Sequence, residues 1–178
     1  MSSPTLEQRM QRVRALVCDV DGVLTEGALH YTDVGEIKTF SVADGFGIKL
    51  AQQAGWHIAF LTARGGPAVV RRAQELGVHL ETGQRKKGQA LTALASRFDL
   101  PLDAVAYIGD DWLDLPAMSR AGLAIAVANA AEAVKVQAQW CLTRRGGDGA
   151  VREAIEAVLS AQGQLMPLLT RYMHEEGQ

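Results

Sequence analysis

Five aspartates that follow short apolar runs are the residues of this sequence whose types and spacing most clearly indicate chemistry. They are Asp19 and Asp21, after the run Ala15–Cys18, and Asp110, Asp111 and Asp114, after the run Val105–Ile108. A single aspartate in such a place is usually a turn former or a helix cap. Several in one cleft would repel one another unless a cation joined them. Because carboxylate oxygens suit Mg²⁺, which commonly binds beside phosphates, the pattern predicts a site for magnesium and a phosphate group.

A hydroxyl and two cationic side chains occupy comparable positions elsewhere in the chain. Thr62 and Arg64 follow the apolar run His57–Leu61, and Lys87 opens a stretch with helical periodicity. A hydroxyl and an ammonium at fixed positions can bind the oxygens of a phosphoryl group. Lys86 is an alternative source of the ammonium, and a solvated surface lysine is the ordinary alternative role for Lys87.

The elements that must position these residues alternate between strands and helices. The apolar runs that predict buried parallel strands are Ala15–Cys18, His57–Leu61, Val105–Ile108 and Leu123–Val127, with a last strand through Trp140–Thr143. The stretches with helical periodicity are Phe46–Ala54, Pro67–Leu76, Lys87–Phe98, Leu115–Ala121, Glu132–Gln139 and about 149–161. This alternation predicts an α/β fold with a doubly wound, Rossmann-like parallel sheet. Ligands bind beyond the carboxyl ends of such strands, which is where the aspartates lie.

One segment departs from this alternation. Residues 28–42 alternate roughly with period two around Asp33-Val34-Gly35, which predicts a β-hairpin that projects from the first crossover. The tail after Gln162 is short and mixed, and the sequence leaves open whether it is a docking arm or a disordered end. We therefore expect a single domain over residues 1–178, with a hairpin insertion at 27–42 and a C-terminal tail at 163–178.

Composition and charge argue against several classes of protein. The formal net charge is −2, whereas nucleic-acid-binding proteins usually carry a strong basic excess. No apolar run approaches the roughly 20 residues that a membrane span needs, and the N-terminal segment lacks the apolar stretch of a signal peptide. The two cysteines, Cys18 and Cys141, are far apart and favour a reducing compartment. We expect a cytoplasmic protein that binds neither nucleic acid nor membrane.

Four short motifs give the chain a family resemblance. In order, DVDGVLT, TAR, the helix-opening Lys87 and GDDWLD resemble the four signature motifs of the haloacid dehalogenase superfamily of phosphatases. The resemblance implies that Asp19 is the nucleophile and forms an aspartyl-phosphate. It makes Asp21 the general acid for the leaving group and then the base for the hydrolytic water. Thr62 and Lys87 would bind the phosphoryl group.

The same resemblance implies Mg²⁺ as the cofactor. A carboxylate oxygen of Asp19, the backbone carbonyl of Asp21 and the side chain of Asp110 would hold the ion. Asp111 and Asp114 would order metal-bound water and the lysine.

Within the superfamily, the chain is similar over nearly its whole length to the phosphatases that act on 3-deoxy-D-manno-octulosonate 8-phosphate (KDO 8-phosphate). Stretches such as KTFSVADGFGIK, GVHLETGQRKKG, VAYIGDD and GGDGAVREAIEAVL carry this similarity. It implies a small phosphosugar as substrate and a place in lipopolysaccharide synthesis. The residues that it assigns to the substrate, besides Asp21 and Lys87, are Ser41, Val42, Ala43, Asp44, Gly45, Lys49, Arg64 and Arg72.

The substrate assignment has alternatives. Arg64 and Arg72 are otherwise read as exposed helix arginines. Ala43, Lys49 and Asn129 depart from residues that are frequent in the similar enzymes, and they bear on sugar recognition rather than on phosphoryl transfer. A related sugar acid phosphate, such as an acylneuraminate 9-phosphate, is therefore the alternative substrate.

The resemblance also implies a homotetramer. The intervals between the motifs contain only the hairpin with one helix, and then one helix with a strand, so a large cap domain is missing. In the similar phosphatases hairpins associate, and a neighbouring chain helps to close each site. Because a lone hairpin is marginal in water, its apolar residues are expected to bury against partner chains or, alternatively, against their own domain. They are Leu29, Tyr31, Val34, Ile37 and Phe40.

Two functions of other classes are alternatives to a phosphatase. A phosphoacceptor domain resembling a response-regulator receiver is also α/β, with acidic Mg²⁺ ligands and a lysine. It needs its acceptor aspartate at a later strand, where this chain has Thr62-Ala63-Arg64. A catalytically idle oligomerisation module would not need the complete set of motifs.

Overall fold

A parallel sheet forms the centre of the molecule. The computed structural model describes residues 3–33 and 35–175. Within those residues the strands are β1 (Ala15–Cys18), β2 (His30–Thr32), β3 (Gly35–Ile37), β4 (His57–Leu61), β5 (His79–Glu81), β6 (Val105–Gly109), β7 (Leu123–Ala126) and β8 (Trp140–Cys141). Six of them pair in the order β5-β4-β1-β6-β7-β8, and every pairing in this sheet is parallel. The expected α/β fold is confirmed.

Helices connect and cover the strands. They are α1 (Leu6–Arg12), α2 (Val42–Gln53), α3 (Pro67–Leu76), α4 (Lys87–Arg97), α5 (Leu115–Met118), α6 (Glu132–Gln137), α7 (Ala150–Ala161) and α8 (Leu165–Glu175). All four residues of the central strand β1 are buried. Because successive side chains of a strand point to opposite faces, both faces of the sheet must be covered at β1. None of the helices in the described ranges has both the length and the apolar character needed to cross a lipid bilayer.

The predicted boundaries differ from the observed ones in a few places. The sequence assigned no bounds to β5, because His79–Glu81 contains two titratable residues and is only half buried at the sheet edge. The expected start of α2 at Phe46 is wrong: the helix begins at Val42, with the Ser41 hydroxyl accepting a hydrogen bond from Asp44 N at 3.3 Å. The strand expected over Trp140–Thr143 ends at Cys141. Helix α1 was not anticipated.

The hairpin and the C-terminal segment lie outside the sheet. Strands β2 and β3 pair antiparallel, as expected, and Tyr31 and Ile37 are exposed. Phe40 instead packs against its own core, while Val34 lies outside the described residues. Over residues 165–175 the tail is a helix rather than a disordered end, and Leu168 is buried against the rest of the chain. A role of the tail as a docking arm stays a prediction.

Candidate active site

The carboxyl ends of three neighbouring strands bring the candidate residues together. Cys18 of β1 pairs with Phe60 of β4 on one side and with Ile108 of β6 on the other. Because the strands are parallel, the positions that follow them lie side by side at one edge. That edge carries a cavity of about 190 Å³. Its lining residues are Asp19, Asp21, Thr62, Ala63, Arg64, Lys87, Asp110, Asp111 and Leu113.

Asp19 and Lys87 form the centre of this site. Lys87 is 1% exposed, whereas Lys86 is exposed, so Lys87 is the lysine in the cleft. Its Nζ lies 2.9 Å from Asp19 Oδ1, which also accepts a hydrogen bond from Val20 N at 2.7 Å. Both donors contact Oδ1, which leaves Asp19 Oδ2 as the oxygen able to attack an electrophile.

The charges of this pair are set by burial and by neighbours. Burial raises the pKa of Asp19 to about 6, with a further increase from the charge of Asp114 and an opposing effect of Lys87. Burial lowers the pKa of Lys87, but Asp19 and Asp114 outweigh it, so the net shift is upward. Lys87 is therefore a fixed ammonium beside the candidate nucleophile.

Asp114 anchors the lysine and the loop after β6. It is completely buried, and its Oδ1 accepts hydrogen bonds of 2.6 Å from Lys87 Nζ and from the Tyr107 hydroxyl. Its Oδ2 accepts hydrogen bonds from the backbone N–H groups of Asp110 at 2.9 Å and Asp111 at 3.2 Å. Both oxygens are thus occupied by protein donors. A role of Asp111 and Asp114 in ordering metal-bound water stays a prediction.

Asp110 has the features of a metal ligand. Ligand oxygens of Asp19, Asp110 and Asp114 all lie within 4.8 Å of one another. Because Asp114 is occupied, Asp19 and Asp110 are the carboxylates that fit a cation. Asp110 Oδ1 is buried without a hydrogen-bond partner among the described residues. Burial, followed by the charge of Asp19, raises the pKa of Asp110 to about 8. A cation beside these two carboxylates would offset that repulsion.

Gly22 makes room for Asp110. A Cβ added to Gly22 would lie 2.0 Å from Asp110 Oδ2, and the φ angle of Gly22 is +93°. Glycine is required here on both counts, because other residues rarely adopt this backbone conformation and any side chain would displace the carboxylate. The glycine of the DVDGVLT motif thus leaves space for the first aspartate of the GDDWLD motif.

Asp21 is held by groups that the sequence did not single out. Its Oδ1 forms an ion pair with Lys38 Nζ, at the end of the hairpin. Lys38 also lies 2.6 Å from Glu36 Oε1, and Glu36 Oε2 accepts a hydrogen bond of 2.8 Å from Arg64 Nη2. Arg64 Nε lies 3.8 Å from Asp21 Oδ2. The predicted general acid therefore lies in a ring of alternating charges.

Thr62 presents a hydroxyl to the same cavity. It is 1% exposed, and its Oγ1 accepts a hydrogen bond from Arg64 N at 3.1 Å. The hydroxyl hydrogen remains available to donate to a phosphate oxygen.

Most of the residues assigned to the substrate do not line this cavity in their own chain. They are Ser41, Val42, Ala43, Asp44, Gly45, Lys49 and Arg72. Val42 is 84% exposed. Ser41 and Ala43 line a separate, larger cavity of about 540 Å³ along α7, which contains none of the five strand-end aspartates.

Asp44, Gly45 and Arg72 have packing roles within the chain. Asp44 is 1% exposed and lies at the N-terminus of α7, where its Oδ1 accepts a hydrogen bond from Arg152 N at 2.8 Å. Arg72 Nη2 donates to the Ser41 carbonyl at 3.0 Å, and a Cβ at Gly45 would lie 2.2 Å from that nitrogen. Arg72 is therefore not an exposed helix arginine, because α2 packs over it.

Lys49 points away from the cleft. Its Nζ donates to the Leu76 carbonyl at 2.7 Å, at the C-terminal end of α3. The N-terminal end of that helix follows the cleft residue Arg64. A helix of ten residues is about 15 Å long. Lys49 is not among the residues that line the cavity around Asp19.

Sequence reasoning missed three residues that touch the site: Lys38, Glu36 and Tyr107. Tyr107 lies inside the apolar run of β6 and looked like a core residue. Lys38 and Glu36 lie in the predicted hairpin, where charged residues usually face solvent. The sequence offered one indication of a further cationic residue: the five aspartates at the strand ends carry more negative charge than Lys87 alone can balance.

The comparisons with known proteins agree with this geometry. A family model described as haloacid dehalogenase-like hydrolase matches residues 78–155. The 3-deoxy-D-manno-octulosonate 8-phosphate phosphatase of Haemophilus influenzae is 40% identical over 161 residues, which cover 89% of each chain. The enzyme of that name from Salmonella typhimurium is 39% identical, over 92% of this chain and 88% of its own.

Solved structures show the same fold. The cobalt-bound phosphatase of Haemophilus influenzae has a TM-score of 0.87 at 40% identity, covering 89% of this chain and 94% of its own. The phosphatase of Moraxella catarrhalis, in complex with magnesium, phosphate and KDO, has a TM-score of 0.91 at 38% identity. It covers 93% of this chain and 97% of its own.

Proposed function

Because this chain belongs to the haloacid dehalogenase-like hydrolases, we propose that it is a Mg²⁺-dependent phosphatase whose nucleophile is Asp19. One observation carries the proposal: Asp19, a buried lysine and the unpartnered carboxylate of Asp110 meet at the carboxyl end of the sheet in one cavity. A carboxylate can attack phosphorus only where positive charge offsets its repulsion from the phosphate.

The residues of the chain divide the reaction among them. Asp19 Oδ2 attacks phosphorus, while Lys87 and the Thr62 hydroxyl bind the oxygens of the transferring group. Asp21 gives a proton to the departing oxygen and then takes one from the hydrolytic water. Asp114 holds Lys87 in place through the 2.6 Å hydrogen bond.

The ligands that we assign to magnesium are a carboxylate oxygen of Asp19, the backbone carbonyl of Asp21 and the Asp110 side chain. When bound, the ion supplies charge that offsets the repulsion between the Asp19 carboxylate and the phosphate dianion. Asp111, which is exposed at the rim, and Asp114 complete the acidic set around it.

KDO 8-phosphate is the substrate that we propose. Relatives covering about nine-tenths of the chain carry that name, and the Moraxella catarrhalis structure contains KDO together with magnesium and phosphate. The product would be KDO and inorganic phosphate, in lipopolysaccharide synthesis. An acylneuraminate 9-phosphate is the alternative, because Ala43, Lys49 and Asn129 depart from the usual residues of these enzymes.

Phosphate release from a panel of sugar phosphates tests both the reaction and the substrate. The panel contains KDO 8-phosphate, an acylneuraminate 9-phosphate and hexose 6-phosphates, each assayed with Mg²⁺ and again with a chelator. We expect the highest kcat/KM for KDO 8-phosphate and no turnover after chelation. A preference for the nine-carbon acid would contradict the substrate, and turnover unaffected by chelation would contradict the mechanism.

A homotetramer would explain the residues that lie outside the cavity. A cavity of about 190 Å³ accommodates a phosphate, whereas pockets for small ligands typically measure about 300–1,000 Å³. Leu29, Tyr31 and Ile37 of the hairpin are exposed apolar residues available for association. We propose that hairpins associate and that the accessible start of α2, residues 41–43, contributes to substrate binding from a neighbouring chain. The buried Asp44 and Gly45, together with Lys49 and Arg72, would hold that segment in place.

Sedimentation equilibrium tests this assembly. We expect a tetramer for the wild type and smaller species for Ile37→Glu, because a buried unpaired charge opposes association. A monomeric wild type with full activity on the phosphosugar would contradict the assembly.

We also propose that the chain is one domain and that it is cytoplasmic. The buried core is continuous from Met10 to Leu168, which supports a single unit. Cys18 is buried and Cys141 exposed, and both are free, which suits a reducing compartment. Cell fractionation with an antibody to the protein tests the second point, and recovery in the periplasmic fraction would contradict it.

A further inference from the structure

Lys38 of the hairpin binds Asp21, which lines the active-site cleft. Its side chain is 3% exposed, although it lies next to a hairpin whose strands are exposed. The ammonium is placed between two carboxylates, Asp21 Oδ1 and Glu36 Oε1, the latter at 2.6 Å. Glu36 in turn accepts a hydrogen bond from Arg64 at 2.8 Å. The orientation of Asp21 is therefore set from the hairpin.

This contact makes the two oxygens of Asp21 unequal. Oδ1 is occupied by Lys38. Oδ2 is buried and has no hydrogen-bond partner among the described residues, and Arg64 Nε at 3.8 Å is beyond hydrogen-bond distance. Asp21 lines the same cavity as Asp19. Because Lys38 engages Oδ1, Oδ2 is the oxygen of Asp21 left to exchange a proton.

We propose that Lys38 is a positioning residue that fixes Asp21 for proton transfer to the leaving group. This inference rests on the proposed phosphatase function. As Asp19 Oδ2 forms its bond to phosphorus, the bond from phosphorus to the sugar oxygen breaks and its electron pair stays on that oxygen. The proton on Asp21 Oδ2 moves to the same oxygen, and Asp21 becomes a carboxylate whose charge faces the ammonium of Lys38.

A purely structural role makes a different prediction. If Lys38 only anchored the hairpin, its loss would lower substrate affinity, above all for the phosphosugar that a neighbouring chain helps to bind, and would leave the rate of the bound complex largely unchanged. If it acts through Asp21, its loss matters only where the leaving group needs a proton. An alkoxide leaves poorly without one, whereas a nitrophenolate leaves readily. The identity of the leaving group therefore separates the two roles.

The experiment measures single-turnover release of the leaving group, with enzyme in excess and Mg²⁺ present, for wild type, Lys38→Met and Lys38→Arg. The substrates are KDO 8-phosphate and p-nitrophenyl phosphate. For Lys38→Met we expect the rate constant to fall by about 10- to 100-fold with the phosphosugar, with substrate affinity changed less than about threefold. With p-nitrophenyl phosphate we expect a loss of less than about threefold. Lys38→Arg should recover most of the lost rate, because it restores a cation beside Asp21 Oδ1.

A double-mutant cycle and a control complete the design. In an Asp21→Asn background, Lys38→Met should lower the phosphosugar rate by less than about twofold further, because its target is already gone. Thr39→Ala, at the exposed neighbouring position, should leave both rates unchanged. If Lys38→Met does not fold, Lys38→Gln replaces it, since the amide keeps a donor for Asp21 while removing the charge.

Equal losses on both substrates, a loss confined to affinity, or full additivity with Asp21→Asn would each overturn the role of Lys38. A wild type that releases phosphate from neither substrate would instead overturn the phosphatase function itself. The two failures are therefore distinguishable in the same preparation.

Discussion

The two sides of the cleft differ in how far their charged side chains and the partners of those side chains are buried. On the sheet side, Lys87 and Asp114 are almost completely buried, and each oxygen of Asp114 accepts two hydrogen bonds from the chain. On the hairpin side, Lys38 is also buried, but its partner Glu36 is one-fifth exposed and Arg64 is about half exposed. A buried charge is costly when it loses its partner, whereas an exposed ion pair contributes little to stability. The sheet side thus holds the nucleophile with buried groups alone, and the hairpin side holds Asp21 through a buried lysine whose other partners remain in contact with water.

The largest expected effect is on the sheet side, at the nucleophile. Asp19→Asn should lower kcat by at least about a thousandfold, because the amide cannot form the aspartyl-phosphate. Folding and assembly should persist, since the change keeps the size of the side chain and removes one of the mutually repelling charges. Phosphate release, circular dichroism and sedimentation measure these three properties. Asp103→Asn, at a carboxylate whose side chain is 60% exposed, is the control, and unchanged turnover in Asp19→Asn would rule out the mechanism.

Substitutions of Asp114 and Glu36 compare how much the two sides contribute to the free energy of unfolding. Asp114→Ala should lower the free energy of unfolding by about 3–5 kcal/mol, because Lys87 would lose one of its two buried partners. Glu36→Ala should cost less, about 1 kcal/mol, because Glu36 is one-fifth exposed and the buried Lys38 keeps Asp21 as a partner. Urea denaturation measures both. Equal losses in the free energy of unfolding would contradict the difference in burial between the two sides.

Gly22 tests whether Asp110 binds the metal. Gly22→Ala should weaken Mg²⁺ binding by at least about tenfold, because its Cβ would lie 2.0 Å from Asp110 Oδ2 and displace that carboxylate. Gly55→Ala is a matched control: Gly55 also has a positive φ of +84°, but within residues 3–33 and 35–175 no atom that could clash lies within 4 Å of an added Cβ. Both variants should lose about 1–2 kcal/mol of stability from backbone strain. Isothermal titration calorimetry measures the Mg²⁺ affinity of each variant. Equal affinities would contradict the assignment of Asp110 as a metal ligand.

The smallest expected effect is a dependence of metal stabilisation on pH. Burial, together with neighbouring carboxylates, raises the pKa of Asp19 to about 6 and that of Asp110 to about 8. A carboxyl with a raised pKa stabilises the folded state most below its unfolded pKa, and this contribution is lost as the pH rises through the folded value. Mg²⁺ requires the ionised form, so its affinity and the increase in Tm that it causes should both grow from pH 6 to pH 8. Thermal unfolding with and without Mg²⁺ at several pH values measures this, and a constant increase would contradict it.

The sequence predicted the parts of the molecule whose signals are local. The apolar runs of β1, β4, β6 and β7 were located within one residue at each end, because a buried parallel strand needs a continuous apolar run. The position of Asp19, Thr62 and Asp110 at one edge followed from the polarity of a parallel sheet. The choice of Lys87 over Lys86 rested on its place in a motif, and burial of Lys87 agrees with it.

Other features had no local signal. Nothing near Asp44 in the chain reveals that it lies at the N-terminus of α7, because its partner Arg152 is 108 positions away. The half-buried edge strand β5 has neither an apolar run nor a clear alternation. Lys49 and Arg72 were assigned to the substrate by resemblance, and the fold directs both toward backbone carbonyls of their own chain.

By itself, the sequence determined the fold class, the edge of the sheet at which chemistry takes place and the acidic residues that surround it. These follow from periodicity and from the order of strand and motif along the chain. Only the tertiary structure decided that Asp114 binds both Lys87 and Tyr107, and that Lys38 of the hairpin holds Asp21. The physical reason is that these contacts join side chains from separate elements, and which of several charged residues becomes buried depends on how those elements pack.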